Sequence, residues 1–149
     1  MPPIDPLRIW ERVHGHLGWL AAIALVHPAI VLRRTKRKAH LSVALSVGIV
    51  SAVFGIGCAI YTGYREKLRQ HIFIEARPIG YLFERKEHLA FGAVMLAWAG
   101  AMAYLGATRL EGETRESLRR ASHWAFVAAA VLTIVTASFG IVIAAFKSF

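Results

Sequence analysis

The sequence predicts an all-α integral membrane four-helix bundle, up-down-up-down, with both termini on the same side and a single domain over residues 1–149. Three observations predict it. Hydrophobic residues make up 56% of the chain, only 18% are charged, and the mean hydropathy is +0.49, outside the range of ordinary soluble domains. Charge is excluded from four long blocks and gathered between them. Three of those blocks, 41–61, 89–107 and 124–146, contain no acidic or basic side chain, and each approaches or exceeds the roughly 20 residues that cross the hydrocarbon core.

The first block, 17–32, is shorter and apolar except for His27, so its helix is expected to begin upstream and run over 7–32. Pro28 is expected to kink it near its end. The second helix is expected over 40–64, the third over 87–107 and the fourth over 118–147. The glycines in these spans are compatible with helix, because small residues let helices approach closely in lipid while each backbone amide is satisfied internally. Cys58 lies within the second span, where a packing role is expected.

The connections differ in character. Residues 33–38 read RRTKRK, a short basic turn; 65–87 read REKLRQHIFIEARPIGYLFERKE, with apolar runs flanked by charge; 108–120 are mixed. The long segment reads as an interfacial stretch on the headgroups, or as a lid or docking surface. Side A denotes the side of the termini and side B the other. Basic residues divide evenly between them, and the density of RRTKRK favours a cytoplasmic side B, with the termini outside a bacterial inner membrane. The N-terminus carries acids and prolines before its apolar run, unlike a cleaved secretory signal, so the first helix is expected to stay.

A sequence pI near 10.5 reflects these basic loops; no aromatic-interleaved basic stripe points to nucleic acid. The single cysteine excludes an internal disulfide and a CxxCH haem attachment. No span holds an acidic residue of the kind that serves a di-iron site or a transport pathway.

Histidines recur near the first turn of each span: His14 and His16, then His40, His88 and His123. Alternation sorts them, with His14, His16 and His88 on side A and His40 and His123 on side B. His27 joins the second group, three turns after His16 on nearly the same face. From His40 runs a stripe of small side chains, including Gly48, Ser51, Gly55 and Cys58. From His88 runs another, including Gly92, Ala99 and Gly106. Two such faces would leave room for a flat cofactor, although small stripes also mark direct helix packing. Imidazoles from different helices suit low-spin iron, so one or two non-covalent b-type haems are the expected cofactor; a structural zinc site would want more thiolates than one.

Across its four spans this arrangement resembles the di-haem b-type transmembrane cytochromes in topology and ligand placement. The resemblance implies His14 or His16 with His88 at a side A haem, and His40 with His123 at a side B haem. A single haem held by His27 with His40 or His123 is the variant. It also implies an electron-transfer protein more than a catalyst, with a redox protein or quinone as partner, and cations such as Lys86 and Arg120 near the propionates. The alternative is a cofactor-free membrane anchor or assembly subunit. Either would sit in the lipid bilayer as a homo-oligomer or part of a complex, without nucleic acid.

Overall fold

The computed structural model describes residues 6–33 and 39–146, with the backbone alone described at 6–8, 67 and 68. The basic turn at 34–38 and Lys147 lie outside the described residues. Among the described residues four helices are long and apolar enough to cross a membrane: α1 (Pro6–Arg33), α2 (His40–Tyr64), α4 (Arg77–Arg109) and α5 (Gly112–Phe146). The chain is an all-α integral membrane bundle. Between α2 and α4 lie a π turn (Arg65–Arg69) and the short α3 (Gln70–Glu75).

The helices form a ring in which α1 packs on α5 and α2, and α4 packs on α5 and α2. This leaves α1 diagonal to α4, and α2 diagonal to α5. Interhelical hydrogen bonds tie every neighbouring pair. Ser46 Oγ donates to the Ala24 carbonyl at 2.5 Å (α2 to α1), and the Ala39 N–H donates to Tyr104 Oη at 2.7 Å, just ahead of α2. Ser122 Oγ donates to the Gly100 carbonyl at 2.7 Å (α5 to α4), and His123 Nδ1–H donates to the Ala29 carbonyl at 2.8 Å (α5 to α1). Bonds of this kind between membrane helices contribute about 0.6 kcal/mol each on average.

Small side chains bring the axes together. Ala21, Ala97 and Ala129 are wholly buried, with Leu25 and Phe126 filling the space between. Gly100 admits the Phe126 ring, which would stand 3.1 Å from a Cβ placed there. Ser122 is buried at the same contact with its hydroxyl satisfied, so the close approach leaves no orphaned donor.

The helix limits differ from the sequence expectation at two places. The third spanning helix starts at Arg77, ten residues before the expected 87, and the fourth starts at Gly112 instead of 118. Charge within 77–86 and 112–117 reads as loop, yet a helix that leaves the hydrocarbon keeps its backbone bonds in water. At 33 and 35 residues, α4 and α5 are each about 50 Å long, against about 30 Å of hydrocarbon.

The segment expected as an interfacial stretch is consequently a helical hairpin. α2 continues through the π turn and α3 to Glu75, the chain reverses at Ala76 (φ −147°, ψ 75°), and α4 returns with Pro78 in its first turn. The hairpin has its own packing. Tyr64 stacks on Phe83 at 4.9 Å, beside Ile72 and Ile143, and Phe73 lies over Gly80, where a Cβ would stand 2.8 Å from the ring. Arg69 donates to Glu84 at 2.6 Å, and this bond holds the guanidinium above its ordinary pKa.

Candidate functional site

Helical phase decides which histidines can share a ligand. On α1 the packed face is marked by Leu25, wholly buried; His16 lies nine residues before it, about 180° around the helix, and His27 about 160° from it. Both are exposed. On α4 the packed face is marked by Ala97, also wholly buried, and His88 lies nine residues before it, again about 180° away and exposed. His16 and His88 therefore point away from each other across the bundle. A haem between α1 and α4 inside this chain does not fit that pair.

The side B rings are spread around the ring of helices. His27 Nδ1 meets Ser42 Oγ at 2.6 Å in the crevice between α1 and α2. His40, exposed at the first residue of α2, packs edge-on against Tyr104 at 5.1 Å. His123 is half-buried on the α1 flank of α5, beside Trp124 at 5.1 Å. It lines a groove of about 300 Å³ with Val26, Ala29, Ile30, Arg33, Val127 and Ala130. Among the described residues no three His, Cys, Asp or Glu side chains converge on a metal position.

Two imidazoles do have the tautomer that suits a ligand. His88 Nδ1–H donates to the Glu84 carbonyl at 2.8 Å, as His123 does to Ala29. A carbonyl takes only a donor, so in the neutral form of each ring the lone pair is on Nε2. Among the described residues of one chain no second ring opposes either of them.

Of the two small-residue stripes that suggested an interior gap, the one on α4 packs directly on α5, where a Cβ at Gly92 or Gly106 would stand 3.4 Å from Leu132 Cδ1 or 3.2 Å from Leu118 Cδ1, and the one on α2 faces outward. Gly48, Gly55 and Cys58 are exposed, and a Cβ on either glycine would meet nothing within 4 Å. The expected packing role for Cys58 is corrected accordingly.

The one side A imidazole turned inward is His14, eleven residues before Leu25 and within about 20° of its face. Its ring lies against Gly57 of α2, where a Cβ would stand 3.0 Å from Cε1, and reaches the Val53 carbonyl; Nδ1 is buried without a hydrogen-bond partner. Lys86 enters the same end from α4, with Nζ 3.7 Å from the Cβ position of Gly140 on α5. The Glu11 and Glu87 carboxylates lie within its electrostatic reach, and Tyr61 donates to Glu87, whose Oε1 is buried without a hydrogen-bond partner. All four spans thus meet at a polar cluster under the hairpin.

The sequence alone does not reveal this cluster, because the charges at 85–87 read as a connection and the helix is expected to start only at 87. The signal available was the run His14, Gly18, Ala21, Leu25, Pro28, Leu32, which follows one face of a single helix and puts His14, not His16, at its head. No protein-family model, curated protein or solved structure matches the chain.

Proposed function

We propose that this chain is a membrane subunit of a larger assembly, met by another polypeptide at the side A hairpin. One observation carries the reading: α2 and α4 continue past their apolar spans as a packed hairpin whose flank exposes Ile74 at 83% and Tyr81 at 49% among charged residues. About eleven residues on each arm give a rise near 16 Å beyond the apolar blocks. A segment built to lie on headgroups would instead turn an apolar face along the membrane plane. The dense basic turn RRTKRK favours a cytoplasmic side B in a bacterial inner membrane, which puts the hairpin on the outer side.

A second reading, the b-type cytochrome, is favoured by the free Nε2 atoms of His88 and His123. In that reading His88 and His123 would each hold haem through Nε2 at the outer surface of the bundle, together with a histidine of another chain. The chemistry such a group would supply is single-electron transfer with a redox protein or quinone. His88 and His123 would hold and orient the haem through the carbonyl bonds that fix their tautomers.

One purification decides between the readings. The protein is expressed with adequate haem, extracted in mild detergent, and its mass in solution measured alongside its absorbance. A colourless preparation, with Ile74→Cys in a Cys58→Ser background giving a cross-linked product in intact membranes, supports the subunit reading. A Soret band with a sharp α-band on dithionite reduction, lost in His88→Ala or His123→Ala, supports the cytochrome and overturns the first.

A further inference from the structure

We propose that the groove between α1 and α5 at side B is a binding site for one anionic phospholipid, its acyl chain in the groove and its phosphate at Arg33. The groove exists because the α1–α5 contact is made by small residues, Ala29 and Ala130, which are 7% and 4% exposed. The side chains of Ile30 and Val127 stand as its walls. From Ala130 to His123 is seven residues, as from Val26 to Arg33, so the groove descends about 11 Å into one leaflet. Its lining is apolar until Arg33 at the last residue of α1 and His123 on α5.

Charge at the mouth is complementary to a phosphate. Arg33 is exposed, and the register of α5 puts Arg119 and Arg120 one turn beyond His123 on the groove flank. In sequence, Arg33 opens the run RRTKRK. Of the acids of this end, Glu116 lies one turn beyond Arg119 and Arg120 on the same flank, and Glu111 and Glu113 lie further out along the α4–α5 connection and the start of α5, so the net charge nearest the groove is positive. Basic pockets between membrane helices on the positively charged side are the setting in which anionic headgroups bind. A zwitterionic lipid brings the same chain and phosphate, but its ammonium would meet this collar unfavourably.

The bond from His123 to the Ala29 carbonyl closes the groove on its inner side, so an acyl chain would lie against a floor fixed by both helices. Such a lipid would cover Ile30, which is 61% exposed, and Val127 without opening the core.

The test uses the full chain, delipidated in mild detergent and offered phosphatidylglycerol or phosphatidylcholine of identical chains, with bound lipid counted by native mass spectrometry. The expected result is selective retention of phosphatidylglycerol. Arg33→Gln should weaken it about five-fold, as ~1 kcal/mol per juxtamembrane cation implies. Val127→Trp, which fills the groove and leaves every cation in place, should abolish selective retention, with Ile30→Trp as the replacement if that variant fails to fold. Ala44→Phe, on the exposed face of α2, should retain lipid as the parent does. Equal retention of both lipids overturns the proposal. So does undiminished retention in the groove-filling variants, including the case where Lys36→Gln and Lys38→Gln alone weaken it, since that pattern marks diffuse attraction to the basic turn.

Discussion

Ser46 satisfies the carbonyl that Pro28 leaves open. Proline has no N–H for the Ala24 carbonyl four residues earlier, and the Ser46 hydroxyl of α2 reaches that oxygen at 2.5 Å while also meeting its own Ser42 carbonyl at 2.7 Å. The helix therefore runs through Pro28, wholly buried, to Arg33. Ser46→Ala should cost about 1 kcal/mol. In a Pro28→Ala background, where the substituted residue brings an N–H of its own, the cost should shrink toward zero. A double-mutant cycle of detergent unfolding measures this, and equal costs in both backgrounds would refute the pairing.

Gly80 is fixed by the Phe73 ring, and a Cβ at 2.8 Å cannot be absorbed without moving one arm of the hairpin. Gly80→Val should open the hairpin while the four spans stay folded. Limited proteolysis from side A should then cut within 65–80 faster than in the parent. Phe73→Ala in the same chain should restore resistance, because it removes the obstructing ring.

Lys86 lies within electrostatic reach of two carboxylates, Glu11 and Glu87, at the end where all four spans meet. Replacing it by Met removes a cation from the reach of Glu11 and Glu87, a loss of about 2 kcal/mol given that Glu87 is only partly buried. Adding Glu87→Gln should recover most of it. Thermal unfolding in a single detergent reads both variants, and a neutral Lys86→Met would show that the cluster is open to water.

Cys58 is exposed on the outer face of α2, on the lipid side of the bundle. Cys58→Ala should shift stability by no more than about 0.5 kcal/mol. A lipid-soluble maleimide should label Cys58 in folded protein, and protection from it would show that another chain covers this face.

The spans were legible because hydrocarbon itself demands that charge be absent over about 20 residues, and water-exposed helices of that length break the pattern with Lys or Glu every turn or two. The extents of α4 and α5 were not, since a helix leaving lipid switches to charged residues at Arg85–Glu87 and Arg119–Arg120 without breaking, and the same composition describes a loop. Grouping the histidines by membrane side needed only alternation. Their directions needed rotation about each axis, and for that the small-residue stripe was a poor guide: Gly48 and Gly55 read the same whether they face lipid or a partner helix. The apolar face through Ala21 and Leu25 was the better guide, and it turns His14 inward and His16 outward.

The π turn at Arg65–Arg69 has a consequence for the aim of the hairpin. In an unbroken α-helix Ile72 would stand about 80° round from Tyr64, eight residues earlier. A π turn holds more residues per revolution, which turns the chain back, and Tyr64 and Ile72 share one buried cluster. The compass bearing of everything beyond residue 69 is thus set by a few residues' slack in the backbone, and deleting one of them would swing the tip away from its present heading without altering a single spanning residue.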